Sequence, residues 1–110
     1  MGAFVKGDVV VVPFPFADLS GNKKRPALVV ANLLGDDVVL CLITSQTAKD
    51  SYALPLDHSD FAAGGLRQLS NIRPNRLFTA DSAIILYRAG VITPSKLNEV
   101  TGKIVGIMTK

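Results

Sequence analysis

Arginine 25 is the side chain best placed to do chemistry. It closes a polar, cationic loop, Ser20-Gly21-Asn22-Lys23-Lys24-Arg25, and stands directly before Pro26 and the apolar run Ala27-Leu28-Val29-Val30. A second apolar run, Val9-Val10-Val11-Val12, precedes the loop and ends in Pro13-Phe14-Pro15-Phe16. Two β-branched strands thus hold a guanidinium at a fixed place beside a loop. A guanidinium is a planar fork that can grip two phosphate oxygens at once. A phosphodiester therefore suits this arrangement. A surface cation stacked on Phe14 or Phe16 is the plainer alternative.

Other polar side chains extend the possibilities. Ser45, Gln46 and Thr47 make a donor-rich tip after a strand, able to meet phosphates or base edges or to serve as an ordinary loop. Lys23, Lys24, Arg67, Arg73 and Arg76 are candidates for backbone phosphate contacts. Tyr52 and Phe61 are candidates for base stacking, with core packing the alternative for Phe61. The single histidine, His58, lies in an Asp-His-Ser turn and is given no role, so a histidine pair for acid–base work is unavailable within one chain. One cysteine, one histidine and no carboxylate cluster at ligand spacing argue against a metal site. No Walker-type phosphate loop is present, since Gly64-Gly65 lacks the following Lys-Ser/Thr.

The chain's 110 residues suit one domain, 1–110. A hydrophobic fraction of 48% against 19% charged residues is a globular composition. The lean charge suggests that a partner hides some apolar surface. Cys41, alone in an apolar run, reads as a buried small hydrophobe in a reducing compartment. No apolar run reaches the ~18 residues of a membrane span and no secretory pattern opens the chain, which points to the cytoplasm. Net charge is +3, unevenly spread: residues 1–65 carry five Lys/Arg and seven Asp/Glu, residues 66–110 seven and two. A basic second half fits an anionic partner or a plain solvated surface.

The positioning elements follow from pattern. Strands are predicted at Val9–Val12, Ala27–Leu33 and Val38–Ser45, the last two joined through Gly35-Asp36-Asp37. Tyr52–Leu56 reads as an edge strand because of Pro55. Asp57–Gly65 reads as a turn or a helical turn, closed by Gly64-Gly65. Leu69–Ile72 and Arg76–Thr79 read as one strand broken at Pro74-Asn75, and Ala83–Leu86 with Val91-Ile92 as a strand or hairpin interrupted at Ala89-Gly90. Thr93-Pro94 caps a helix whose apolar face is Leu97, Val100, Ile104 and Ile107, with Lys96, Lys103 and Lys110 on other faces. Short strands closed by one helix argue a small, bent barrel, with a five-stranded oligonucleotide-binding barrel as runner-up.

Gly7-Asp8-Val9-Val10 with Pro13-Phe14-Pro15-Phe16, then Lys24-Arg25-Pro26-Ala27-Leu28-Val29-Val30, Ile43-Thr44-Ser45, Ser70-Asn71-Ile72-Arg73 and Leu77-Phe78-Thr79 resemble the MazF/PemK family of toxin–antitoxin endoribonucleases. The resemblance covers essentially the whole chain in order. It implies a mainly β fold, an SH3-like small barrel of the MazF/PemK/CcdB type with a C-terminal helix. It also implies a homodimer, a cognate antitoxin, no cofactor, and metal-independent cleavage of single-stranded RNA. The family's catalytic arginine and threonine match Arg25 and Thr44. Ser20, Asn22, Lys23, Lys24, Ser45, Gln46, Arg67 and Arg73 are then the candidates for substrate contacts. No residue stands out as the base for the 2′-hydroxyl; Asp18 is a candidate by loop proximity, with a turn role as the alternative. Two other readings stay open: a catalytically silent barrel that binds RNA or protein, and a toxin aimed at a protein target such as DNA gyrase.

Overall fold

The computed structural model describes residues 4–13, 24–45 and 51–110. Within them the chain forms seven strands and one α-helix: β1 (Asp8–Pro13), β2 (Lys24–Asn32), β3 (Asp37–Thr44), β4 (Leu54–Leu56), β5 (Phe61–Gly64), β6 (Ser70–Asp81), β7 (Tyr87–Ile92) and α1 (Pro94–Thr109). The strands make one curled antiparallel sheet in the order β4-β6-β3-β2-β1-β7-β5. The result is a half-barrel carrying a C-terminal helix, as the bent-barrel expectation requires. Its seven strands exceed the five of the runner-up.

Strand alternation divides the apolar residues between the two faces of the sheet. Val9, Leu28, Cys41, Ile43 and Ile72 form one buried cluster with Val100, while Leu97 and Ile104 of α1 pack against it. Val10, Val12, Ala27, Val29, Val38 and Leu40 form a second with Ile85, edged by Phe4 and Phe78. Truncating a fully buried member such as Leu28 to alanine costs about 2–5 kcal/mol.

The early strands and the helix lie close to their expected positions. Thr93 Oγ1 accepts from Lys96 N at 3.2 Å and Pro94 starts the helix, as the cap pattern implies. Pro55 sits in β4, an edge strand. Three expectations need correction. Asp57–Gly65 is not only a turn. A 3-10 turn at His58–Asp60 is followed by β5, which pairs with β7. That strand has little β-forming sequence. It exists because two backbones meet closely: a Cβ on Gly90 would lie 2.6 Å from the Ala63 carbonyl oxygen, and Gly64 adopts φ +67°.

The second correction is β6, which is continuous through Pro74-Asn75. Its pairing with β3 jumps from Cys41↔Leu77 to Ile43↔Ile72, so extra residues of β6 bulge out where proline offers no N–H. The third is β7, which runs through Ala89-Gly90, while Ala83-Ile84 belong to a 3-10 turn. Lys96, read on a face other than the apolar one, is buried. Its ammonium lies 3.1 Å from Glu99 and 3.8 Å from Asp60. Asp60 also accepts from the Asp57 N–H at 2.9 Å. Asp57 in turn is held below the usual carboxylate range by hydrogen bonds from the Ser59 side chain and N–H. This network ties α1 to the turn before β5.

Candidate functional site

Pro26 explains why a cleft opens where it does. On one side β2 pairs with β1 through Val11↔Pro26, Val12↔Arg25 and Pro13↔Lys24. On the other, the pairing of β2 with β3 reaches Ala27↔Leu42, and no further pair toward these strand ends occurs among the described residues. Proline has no N–H to donate, so it ends the ladder there. Continuing the register by two residues brings Arg25 level with Thr44.

A cleft of about 280 Å³ occupies this place. It is lined by Lys24, Arg25 and Pro26 of β2, Ile43, Thr44 and Ser45 at the end of β3, and Leu66, Arg67, Gln68 and Ser70 from the segment entering β6. Consecutive residues of both strands contribute, so the cleft runs along the strand ends and draws on both faces. Leu66 packs against the core cluster under α1 and anchors the third wall. Ser70 is buried and its hydroxyl donates to the Gln68 carbonyl at 3.0 Å, which shapes the turn that carries Arg67 and Gln68.

Alternation places the two proposed catalytic side chains on one face. Arg25 opposes Val12, which belongs to the second core cluster. Thr44 follows Ile43, which belongs to the first, so its side chain turns to the face of the second. Arg25 and Thr44 are both half-buried. A guanidinium and a hydroxyl on neighbouring strands can therefore meet a common anion.

The lining contains three cations, Lys24, Arg25 and Arg67, and among the described residues no carboxylate. Such a cleft attracts anions, and phosphate above all, because charge-assisted bonds from arginine are short and strong. Among the described residues no group of three or more His, Cys, Asp or Glu side chains is arranged to hold a metal ion.

The structure therefore brings Lys24, Arg25, Thr44, Ser45 and Arg67 together. It does not bring Arg73 to the cleft. Arg73 is half-buried in the bulged part of β6, and its carbonyl accepts the Cys41 thiol at 3.0 Å. Burial pushes that thiol up to about 12, with the nearby Arg73 acting weakly in the opposite direction. Ser20, Asn22, Lys23 and Gln46 lie outside the described residues, as do Asp18 and Thr47. Tyr52 is capped by Lys110, whose ammonium sits 4.8 Å from the ring centroid, and Phe61 packs against the core. His58 is exposed in its 3-10 turn. Sequence reasoning missed Gln68 and Ser70. The only signal for Gln68 was its position beside Arg67 in a polar connection.

The fold is a mostly β half-barrel with a C-terminal helix and, among the described residues, a cationic cleft at its strand ends. The family follows from a direct comparison. The model of the PemK-like, MazF-like toxin of type II toxin–antitoxin systems matches residues 5–108, and the chain belongs to that family. No curated protein matches the sequence. Solved structures agree in fold. A MazE–MazF complex from Deinococcus radiodurans superposes with a TM-score of 0.74 at 18% identity, covering 96% of this chain and 95% of that one. The Mycobacterium tuberculosis toxin MazF-mt6 gives 0.71 at 17% identity, over 92% and 95%. An endoribonuclease in complex with its cognate antitoxin, from a mycobacterial species, gives 0.71 at 17% identity, over 96% and 95%. No described helix is long and apolar enough to cross a membrane.

Proposed function

We propose that this chain is a sequence-specific, metal-independent endoribonuclease of the cytoplasm that cuts single-stranded messenger RNA. The observation that carries the reading is a cleft lined, among the described residues, by three cations and no carboxylate, with Arg25 and Thr44 level on adjacent strands. RNA supplies its own nucleophile. The 2′-hydroxyl gives its proton to solvent water, the 2′-oxygen forms a bond to phosphorus, and the bond from phosphorus to the 5′-oxygen breaks. The products are a 2′,3′-cyclic phosphate and a 5′-hydroxyl, the latter taking up one proton.

Charge builds on the phosphoryl oxygens during this exchange, and fixed donors there are commonly the largest protein contribution. Arg25 spans two of those oxygens and is placed to protonate the leaving oxygen. The Thr44 hydroxyl donates to the phosphoryl group. Lys24 and Arg67 hold flanking phosphates, and Ser45 and Gln68 offer donors and acceptors to base edges, the source of sequence preference. The lining offers cations where a metal-dependent nuclease would offer carboxylates.

The same reading includes a homodimer and a cognate antitoxin. Leu34, Leu69 and Met108 are exposed, at 98%, 70% and 68%, and supply apolar surface for such contacts. The test is incubation of the purified chain with a long single-stranded RNA in EDTA, with the ends mapped. Discrete cuts bearing 2′,3′-cyclic phosphate, lost in Arg25→Ala, are expected. RNA that is bound but left whole would favour a silent binding barrel, and unbound, whole RNA a protein target.

A further inference from the structure

Thr44 has a neighbour that the proposed chemistry does not yet use. In the pairing of β3 with β6, Thr44 lies across from Asn71. Residues so opposed carry their side chains on one face, with Cβ atoms about 4.5–5.5 Å apart. The adjoining pair, Ile43 and Ile72, both belong to the core cluster under α1. Alternation therefore turns Thr44 and Asn71 together to the opposite face, the face of Arg25. A guanidinium, a hydroxyl and a carboxamide succeed one another along a line across β2, β3 and β6. On its other side Asn71 meets Pro55 of β4, which has no polar side-chain atom. Of its two cross-strand neighbours, Thr44 is the polar one.

We infer that Asn71 is a positioning residue for Thr44, an inference that rests on the ribonuclease reading above. A threonine hydroxyl has one proton and rotates to suit its surroundings, whereas an asparagine side chain holds two N–H donors and one acceptor in a plane. The Asn71 amide N–H donates to a lone pair of Thr44 Oγ1. That leaves the single hydroxyl proton directed at the phosphoryl oxygen, where the transition state gathers charge. The donor is the essential part. A carboxylate at position 71 would accept the Thr44 proton instead and would set a negative charge beside an anionic substrate. A hydroxyl at position 71 keeps a donor and suits a strand.

The experiment measures single-turnover cleavage of one RNA oligonucleotide and binding of its uncleavable 2′-deoxy analogue. The proteins are the wild type, Asn71→Val, Asn71→Asp and Asn71→Thr, with Thr44→Val alone and combined with Asn71→Val. Thermal melting confirms that each is folded. Asn71→Val is expected to lower kcat about tenfold, a fraction of what deleting a direct donor costs, with KM within about twofold. Asn71→Asp falls further and Asn71→Thr recovers most of the rate. In the Thr44→Val background the same Asn71→Val change costs less than about twofold, because coupled residues are not additive. An equal fold-loss in both backgrounds, a wild-type rate in Asn71→Val, or a loss confined to KM would overturn the inference. Where Thr44→Val is too slow to time, the order of Asn71→Thr above Asn71→Val above Asn71→Asp decides, and any other order counts against it. A wild-type chain that binds RNA but leaves it whole defeats the ribonuclease reading itself, a result distinct from all of these.

Discussion

The cleft and the helix side of the molecule use positive charge in opposite ways. Beneath α1, Lys96 is buried at 8% exposure with Glu99 at 3.1 Å and Asp60 at 3.8 Å. At the other flank Arg88 lies 3.1 Å from the buried carboxylate of Asp8, which also accepts from the Val5 N–H at 2.9 Å. These cations are balanced within the fold, and what they hold is an element: a helix in one case, the segment before β1 in the other. In the cleft Lys24, Arg25 and Arg67 share a lining that, among the described residues, has no carboxylate. Charge that the lining does not balance is available to an anion from outside. The same residue types are thus balanced within the fold in one region and, among the described residues, left without a carboxylate in the lining of the other.

The contrast can be broken by exchanging what each region loses on mutation. Arg25→Ala should abolish most cleavage, by about 10²–10³ in kcat, as removal of a donor to a developing charge does elsewhere. Its melting temperature should hold or rise, and a clear destabilisation would mean that Arg25 is a structural cation like Lys96. Thr44→Ala should lose most of the cleavage, about 10²-fold in kcat, while RNA binding persists. Equal loss of both would make Thr44 a binding residue only.

On the helix side the signs reverse. Lys96→Ala should cost about 1–3 kcal/mol of stability, since Asp60 is left partly buried without its cation. Cleavage by the folded fraction should be unchanged. A loss of cleavage at full stability would move Lys96 into the site. The smallest effect concerns Cys41. Its thiol is pushed up to about 12 by burial, so the reactive thiolate is scarce throughout the neutral range. Alkylation of the native protein should stay slow and rise little between pH 7 and 9, then become fast on unfolding. Rapid labelling of native protein would show that the core around β3 and β6 opens readily.

The sequence displayed its strongest features where local preference and burial agree. The valine run of β1, the apolar runs within β2 and β3, and the Thr93-Pro94 cap with its three-and-four spacing each specify their element without help. So does Pro55, which can only sit at an edge. Arg25 was legible because a proline and a strand fix it in place. What stayed hidden depends on distant partners. Nothing in Phe61-Ala62-Ala63-Gly64 announces a strand; the close approach of Gly90 makes one. Pro74 reads as a break because the bulge that absorbs it belongs to the pairing with β3. The burial of Lys96 was not legible because Asp60, its counterion, lies on a different element. Arg73 reads as a phosphate-contact candidate like Arg67, yet the bulged course of β6 sets its carbonyl against the Cys41 thiol. Asn71 shows in the sequence only as part of the Ser70-Asn71-Ile72-Arg73 run, and its place opposite Thr44 comes from the register.

The central claim is that Arg25 and Thr44 converge on one phosphate. A crystal structure with a single-stranded oligonucleotide, made uncleavable by a 2′-deoxy substitution at the cut site, tests it most directly. The expected result is the phosphate at that site within about 3 Å of both the Arg25 guanidinium and the Thr44 Oγ1. A strand bound elsewhere on the half-barrel, or one whose scissile phosphate touches neither group, would contradict the account.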